Sequence, residues 1–304
     1  MSNALVIETK GLSYHYAKGV KTLDSINLQV ERGSIYGFLG PNGSGKTTTL
    51  SLLLGLLNNQ EGSIEIFGHN LHTNRVSILK KIGSLIESPS LYGHLTAQEN
   101  LEVYRSVYGV TKERIAEVLN IVGLNDTGKK VAKRFSLGMK QRLSIALALL
   151  PNPELLILDE PSNGLDPAGI IELRGLISKL NEEYGMTILI SSHLLSEVEK
   201  MVTHVGIVYK GTLRFQGSLS ELQQLQQRNA KVFLKTSDNV QAIELLRDYS
   251  PQVDGHTFTI DCDSQQQVAE INRLLMQHGL DVYLLHPREN DLEQLFINLT
   301  ADHS

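Results

Sequence analysis

The sequence predicts an α/β protein with a mainly parallel sheet, followed by a small α+β unit. Three observations support this prediction. Short apolar runs alternate with helical patterns up to about residue 220, a pattern that favours a parallel sheet. The runs at 155–160 and 187–192 are apolar almost throughout, which is typical of strands buried on both faces. Residues 220–304 carry six basic and 13 acidic side chains, whereas the preceding residues have a slight basic excess.

The predicted elements of the first part alternate in type along the chain. The predicted strands cover 26–30, 34–39, 63–67, 82–87, 155–160 and 187–192. The predicted helices cover 46–57, 96 to about 108, a segment that starts at Thr111, and 138–150. Thr96 and Glu99 have the spacing of a capping box. Pro151 and Pro153 end the last helix.

The change of charge coincides with a predicted domain boundary. Ser218 and Glu221 have the spacing of a second capping box, and a Gln-rich stretch follows them. We therefore predict one domain over 1–220 and a small α+β accessory domain over 228–304. Its predicted strands cover 231–235, 256–262 and 281–286, and its predicted helices cover about 240–249, 266–279 and 291–299.

The composition excludes several classes of protein. The chain has 304 residues and a net charge of −5, whereas general nucleic-acid binders are usually basic. The single cysteine, Cys262, excludes an internal disulfide framework and a multi-cysteine metal site. Apolar runs fall far short of the roughly 20 residues that cross a bilayer, and no signal peptide is recognisable. We therefore expect a soluble protein that needs a separate chain for any step across a membrane.

The strand predicted at 34–39 leads into a complete phosphate-binding loop. Its glycines let backbone N–H groups curl around phosphate oxygens, and the start of the next helix adds its dipole. Lys46 is expected to reach the β- and γ-phosphates of ATP, and the Thr47 hydroxyl is expected to bind Mg²⁺. The predicted ATP-binding residues are Gly40, Pro41, Asn42, Gly43, Ser44, Gly45, Lys46, Thr47 and Thr48.

Two adjacent carboxylates end the apolar strand at 155–160. Successive side chains of a strand point to opposite faces, so Asp159 and Glu160 are expected to have different roles. We predict that Asp159 holds Mg²⁺ together with Thr47, and that Glu160 is the general base that polarises the attacking water.

Residues from about 5 to 217 resemble the ATP-binding subunit of ATP-binding cassette (ABC) transporters. The phosphate loop and the Asp–Glu pair occur with three further motifs in the order of that family. These are a signature motif at 135–139, a D-loop ending at Asp166, and a switch histidine, His193. The resemblance implies a P-loop NTPase fold with an antiparallel N-terminal β part and a helical signature subdomain.

The signature motif departs from the usual Leu-Ser-Gly-Gly-Gln of this family. Leu137 replaces a glycine and Met139 replaces the glutamine, whereas Ser136 and Gly138 remain. In the family this motif contacts the ATP of a second subunit, so the resemblance implies an ATP-sandwich dimer. A homodimer is expected, and a pair with a different cassette stays open. By the same resemblance Asp166 lies at the dimer interface, and His193 acts in catalysis beside Glu160.

Two further site residues depend on position within the resemblance. An aromatic platform for adenine is expected near residue 15, where Tyr16 aligns best and Tyr14 is the alternative. Glu87 stands where related subunits have a glutamine that touches Mg²⁺ and the membrane partner. We predict that Glu87 is a metal ligand. The segment from Glu87 to Gly93 resembles subunits that export bacitracin-like and lantibiotic peptides.

These features predict an ATP-hydrolysing subunit, with ATP and Mg²⁺ as cofactors, that drives a separate integral membrane permease. We expect an exporter subunit that lies on the cytoplasmic face of the membrane and does not bind nucleic acid. One alternative is a soluble ABC ATPase that acts on DNA or the ribosome. The chain lacks the coiled-coil insertion of the first kind and the second cassette of the other. Another alternative, a non-catalytic nucleotide sensor, is disfavoured by intact Lys46, Asp159 and Glu160.

Overall fold

The computed structural model describes residues 4–17, 19–86, 91–228, 230–262 and 265–288. The chain divides into two compact units, one formed by the residues up to Ser218 and one that begins at Leu219. Each unit has its own sheets and its own apolar core. All of the predicted site residues precede Ser218.

Strands of the first unit form two sheets. The described strands are β1 (Leu5–Tyr14), β2 (Leu23–Ile26), β3 (Gln29–Glu31), β4 (Ile35–Leu39), β5 (Glu61–Ile66), β6 (His69–Asn70), β7 (Ile82–Leu85), β8 (Leu155–Leu158), β9 (Thr187–Ser192), β10 (His204–Tyr209) and β11 (Thr212–Ser218). An antiparallel sheet has the order β2-β1-β5-β6, with β3 also paired to β1. The other sheet has the order β11-β10-β4-β9-β8-β7 and is parallel except for the β10–β11 pair. The predicted combination of a mainly parallel sheet with an antiparallel N-terminal part is confirmed.

The helices of the first unit connect the strands and build a separate helical layer. They are α1 (Lys46–Leu53), α2 (Leu71–Leu79), α3 (Ala97–Tyr108), α4 (Lys112–Ile121), α5 (Leu137–Leu149), α6 (Pro167–Glu182) and α7 (Leu195–Val198), with 3₁₀ turns at Asn125–Thr127 and Ala132–Arg134. Helices α3, α4 and α5 pack against one another and form the predicted helical subdomain. The predicted capping box is present, because Thr96 and Glu99 exchange hydrogen bonds at the start of α3.

Burial explains why the central strands were recognisable in the sequence. Every residue of β4, β8 and β9 is buried, as expected for strands covered on both faces. Leu155, Ile157 and Leu189 are fully buried and belong to a core cluster that the antiparallel sheet also joins. The two sheets of this unit therefore share apolar packing, which fixes the loops at the ends of the central strands.

Several predicted boundaries in this unit differ from the structure. The helix predicted to reach residue 57 ends at Leu53, because the chain turns at Gly55 with a φ of 63°, a conformation that glycine adopts without strain. The strand predicted at 26–30 is two strands. Between them the Thr9 hydroxyl donates to the Ile26 carbonyl and accepts from the Leu28 N–H, which interrupts the ladder. The strand predicted at 82–87 ends at Leu85, and the strand predicted at 155–160 ends at Leu158, so that Asp159 and Glu160 follow it.

The second unit is a small antiparallel sheet with helices. It comprises α8 (Leu219–Arg228), β12 (Ala230–Thr236), α9 (Asn239–Leu245), a 3₁₀ turn at Arg247–Tyr249, β13 (Gln252–Asp254), β14 (Thr257–Cys262), α10 (Gln265–Gln277) and β15 (Val282–Arg288). The sheet order is β13-β14-β12-β15, and its core includes Leu234, Phe258 and Leu275. The three predicted strands and the helix predicted at 266–279 are confirmed. The helix predicted at 291–299 lies outside the described residues.

Within the described ranges, every helix is too short or too polar to span a bilayer.

Candidate functional site

The residues predicted to bind ATP and to act on it lie together at one edge of the parallel sheet. Strand β9 lies between β4 and β8, and all three run in the same direction. Their carboxyl ends therefore lie side by side. The phosphate loop follows β4, Asp159 and Glu160 follow β8, and His193 follows β9. Ligands of open α/β sheets bind at this end of the strands.

The phosphate loop leaves the start of α1 open to an anion. The cap residue Gly45 has a φ of 105° and provides no side chain, and the first turn of α1 contains no acidic residue. A β-carbon on Gly40 would lie 2.3 Å from the backbone carbonyl oxygen of Val208, so only glycine allows this tight loop. The Ser44 hydroxyl is buried and has no hydrogen-bond partner among the described residues. A helix start with free N–H groups and an unpaired hydroxyl fits a phosphate.

Lys46 lies at the centre of the site and is nearly fully buried. Its ammonium donates to the backbone carbonyl of Gly40 at 2.7 Å and to that of Pro41 at 3.4 Å. The same nitrogen lies 3.2 Å from Glu160 Oε1, close enough for an ion pair. The lysine is therefore held beside the phosphate loop and also beside the predicted general base.

Asp159 is joined to the phosphate loop and to the neighbouring strand. The Thr47 hydroxyl donates to Asp159 Oδ2 at 2.8 Å, and the Ser191 hydroxyl donates to Oδ1. Ser191 also accepts a hydrogen bond from the Glu160 N–H at 2.9 Å. A single hydroxyl on β9 therefore helps to orient both residues that follow β8.

Glu160 contacts the two residues expected to assist it. Its Oε2 lies 2.8 Å from His193 Nδ1, and its Oε1 faces Lys46. The residue has a φ of 47°, which is unusual for a side chain other than glycine. This turn directs the Glu160 carboxylate away from the path of β8 and towards the histidine. The arrangement suits a base that accepts a proton from water while the imidazole holds its carboxylate.

Tyr16 and Tyr14, the two candidates for the adenine platform, differ in exposure. Tyr14 is packed against the apolar core, whereas 67% of the Tyr16 surface is exposed. The Tyr16 hydroxyl lies 3.3 Å from that of Thr48 in α1, so its ring is next to the phosphate loop. The Tyr14 ring meets the Tyr16 ring edge-on at a centroid distance of 5.0 Å and supports it.

The signature and D-loop residues lie at the starts of two neighbouring helices. The Ser136 hydroxyl accepts from the Met139 N–H at 3.2 Å and caps α5. Asp166 accepts from the Gly169 N–H at 2.9 Å and caps α6. Leu137 is half exposed and lies against the D-loop, since a β-carbon on Gly164 would be 3.2 Å from Leu137 Cδ2. The leucine that replaces the usual glycine therefore bridges the two motifs.

Glu87 lies outside the described residues. Strand β7, which precedes it in the chain, ends at Leu85, whose carbonyl accepts from the Asp159 N–H at 2.8 Å. Sequence reasoning missed Ser191 and a hydrogen bond from the Ser162 hydroxyl to Glu197, which joins the D-loop to α7. A hydroxyl at the end of an otherwise apolar strand is the signal that could have indicated Ser191.

Comparison with known proteins identifies the family. The model of the family described as "ABC transporter" matches residues 23–163. The bacitracin transport ATP-binding protein BcrA of Bacillus licheniformis is 46% identical over 97% of both chains. The chain belongs to the ABC transporter family. It is an ATP-binding subunit and an ATPase, and the sequence motifs that carried the resemblance are those of this family.

Two further comparisons extend the similarity. The lantibiotic transport ATP-binding protein SrtF of Streptococcus pyogenes is 45% identical over 68% of this chain and 89% of its own. The dimeric ATP-binding cassette MJ0796, solved in a post-hydrolysis state with ADP and Pi, aligns with a TM-score of 0.62 and 26% identity. That alignment covers 70% of this chain and 98% of the solved cassette. The cassette fold and ATP as its ligand therefore agree with the sequence prediction.

Proposed function

We propose that this subunit drives a separate membrane permease that exports a peptide antibiotic of the bacitracin or lantibiotic class. One observation carries the proposal: the bacitracin transport ATP-binding protein BcrA is 46% identical to this chain over 97% of both chains. Such a match extends over the second unit, whereas the match to the family model ends at residue 163. The alternative, a soluble ABC ATPase that acts on DNA or the ribosome, is not favoured by these relatives, whose names give transport roles.

The donor set at the sheet edge fits ATP with Mg²⁺. Within the described ranges, no group of three or more His, Cys, Asp or Glu side chains is placed to hold a metal ion. Mg²⁺ usually keeps several waters and is bound by one or two carboxylates beside substrate phosphates. Thr47 Oγ1 and Asp159 Oδ2 lie 2.8 Å apart and would hold the ion, with Glu87 as a further proposed ligand. Bound Mg²⁺ would neutralise charge on the phosphates.

In the proposed reaction, different residues of the chain bind the phosphates, accept the proton of water and stack on the adenine. Lys46 binds the β- and γ-phosphates, and the N–H groups at the start of α1 orient them. Glu160 Oε2 accepts the proton of the attacking water, while His193 Nδ1 holds that carboxylate at 2.8 Å. Tyr16 stacks on the adenine. The reaction is completed in a sandwich of two subunits, in which the start of α5 faces the ATP of the other subunit.

An exposed apolar surface on α3 supports a permease as partner. Val103, Val107 and Tyr108 are 44%, 77% and 48% exposed, although they are large apolar side chains. Along the chain, this helix follows the segment that contains Glu87. We propose that the permease docks here and that the subunit lies on the cytoplasmic face of the membrane.

The proposal is tested by measuring whether the chain makes a sensitive bacterial host resistant to a peptide antibiotic. The chain is expressed together with the integral membrane protein that copurifies with it from detergent-solubilised membranes. Wild-type protein should raise the inhibitory concentration of bacitracin or of a lantibiotic, whereas Lys46→Ala at equal protein level should not. A non-peptide antibiotic is the control. Equal resistance with both proteins, or resistance only to the non-peptide compound, would contradict the proposed substrate class.

A further inference from the structure

The segment around the signature motif carries a concentration of positive charge. Residues 128–142 include six basic side chains and no acidic one. Among the described residues, the only ion pair that these side chains form is Arg142 with Glu172, at 3.5 Å. The remaining basic groups are therefore available for an anion that comes from outside this segment.

Lys130 differs from the other unpaired lysines because its ammonium is fixed beside the signature residues. It lies 3.7 Å from the sulfur of Met139 and 5.7 Å from the centre of the Phe135 ring. A thioether is a weak acceptor, and an exposed cation–π contact is weak as well. These contacts orient the ammonium without neutralising its charge.

The backbone on either side of Lys130 is also fixed. Its own N–H donates to the Thr127 carbonyl at 3.1 Å, and the next residue, Val131, forms a bridge with Thr96 at the start of α3. The Ala132 N–H then donates to the Leu95 carbonyl at 2.8 Å. The lysine therefore extends from an anchored loop towards the first turn of α5, and little further ordering is needed before it binds a ligand.

We propose that Lys130 contacts the triphosphate of the ATP bound by the phosphate loop of the facing subunit. The inference rests on the proposed ATP sandwich. Met139 replaces a glutamine and has no side-chain N–H to donate, and Lys130, held against its sulfur, supplies a charged donor at the same place. Ser136 at the start of α5 and Lys130 together form the anion-binding surface of the signature motif.

The experiment measures ATP-dependent dimerisation in the Glu160→Gln background, where hydrolysis does not disperse the dimer. Lys130→Met is compared with Lys129→Met, which removes an equal charge from the neighbouring exposed residue. Lys130→Met should raise the ATP concentration for half-maximal dimerisation, measured by sedimentation velocity, about tenfold or more. Lys129→Met should change this ATP concentration less than about twofold. Lys130→Arg, which keeps a charged donor, should return it most of the way to the value of the parent. ATP binding to the dilute monomer should be unchanged in all three.

Each other result overturns the inference. Dimerisation of Lys130→Met at the ATP concentration of its parent would show that the lysine makes no contact with ATP. Equal losses in Lys129→Met and Lys130→Met would show a general charge effect instead of a specific contact. If the Glu160→Gln parent fails to dimerise with ATP while it still binds the nucleotide, the sandwich itself is wrong and the role of Lys130 is lost with it.

Discussion

Ser191 shows how one side chain sets the geometry of the whole catalytic edge. Its hydroxyl donates to Asp159 and accepts from the Glu160 N–H, so it joins two adjacent residues with different roles. Glu160 then turns out of the strand with a positive φ and contacts His193 and Lys46. The carboxylate oxygens of Asp159 and those of Glu160 are thereby directed to different neighbours.

Replacement of Glu160 by glutamine should stop turnover and preserve ATP binding. The amide keeps the size of the side chain and does not accept a proton, and general bases contribute about 10²- to 10⁴-fold to rates. We expect a fall of at least about 100-fold in steady-state ATPase activity, with ATP affinity changed by less than about tenfold. Glu199→Gln, which alters a carboxylate beyond the site, is the control. Normal hydrolysis by Glu160→Gln would show that another group is the base.

Glu87→Gln should affect coupling more than nucleotide binding. The change is nearly isosteric and removes only the charge, while Lys46, Thr47 and Asp159 still hold ATP and Mg²⁺. We expect fewer peptides transported per ATP hydrolysed, with a larger loss in Glu87→Ala because the ligand is removed. The measurement is ATPase activity and transport in parallel, in the reconstituted complex. Wild-type values in both variants would mean that Glu87 neither binds the metal nor acts on the permease.

At the level of elements, the capping box at the start of α3 should make a measurable contribution to the free energy of unfolding. The Thr96 hydroxyl accepts from the Glu99 N–H at 3.2 Å, and the Thr96 N–H donates back to the Glu99 carboxylate at 2.8 Å. Thr96→Ala should lower the free energy of unfolding in urea by about 1 kcal/mol. Thr96→Ser keeps the hydroxyl and is the control. Equal losses in both variants would show that the methyl group, and not the cap, is responsible.

The same cap predicts a direction of pH dependence. Hydrogen bonds from the Thr96 N–H and hydroxyl lower the pKa of Glu99 from its ordinary 4.5. Its stabilisation is therefore complete above that value and is lost as the pH falls through the lowered pKa of the folded protein. The stability difference between wild type and Glu99→Gln should shrink as the pH is lowered from 6 to 3. A difference that does not change with pH would contradict this role.

The sequence predicted elements best where one physical signal dominated. Strands β8 and β9 were recognised because every residue is buried, and α3 because its capping box has a fixed spacing. The predicted end of α1 was wrong, because apolar residues continue past Gly55 and the helix ends at the turn that this glycine forms. The strand predicted at 26–30 is divided into β2 and β3 by the hydroxyl of Thr9, which is 17 residues away from Ile26 in the chain, and no local pattern reveals this contact. The site followed from motifs, whereas the hydrogen bonds of Ser191 required the neighbouring strands to be placed.

At the scale of the whole molecule, each compact unit draws its core from one part of the chain. The core cluster of the first unit takes its residues from Val6 to Leu213, and that of the second from Val232 to Leu285. The charge follows the same division, since residues 220–304 have a net charge of −7. We propose that the second unit is an accessory domain with a regulatory or partner-docking role.

A chain that ends at Gln226 should therefore fold and bind ATP. All residues of the phosphate loop, the carboxylate pair and the switch histidine precede Ser218, and no residue of their core cluster is removed. We expect cooperative unfolding and an ATP affinity within about twofold of the full chain, measured by calorimetric titration, because the ligand contacts are the same. Lys46→Ala in the truncated chain is the control, since it should weaken binding by the loss of a phosphate contact. If the truncated protein stays folded and no longer binds ATP, the second unit takes part in the nucleotide site and the two-domain interpretation is wrong.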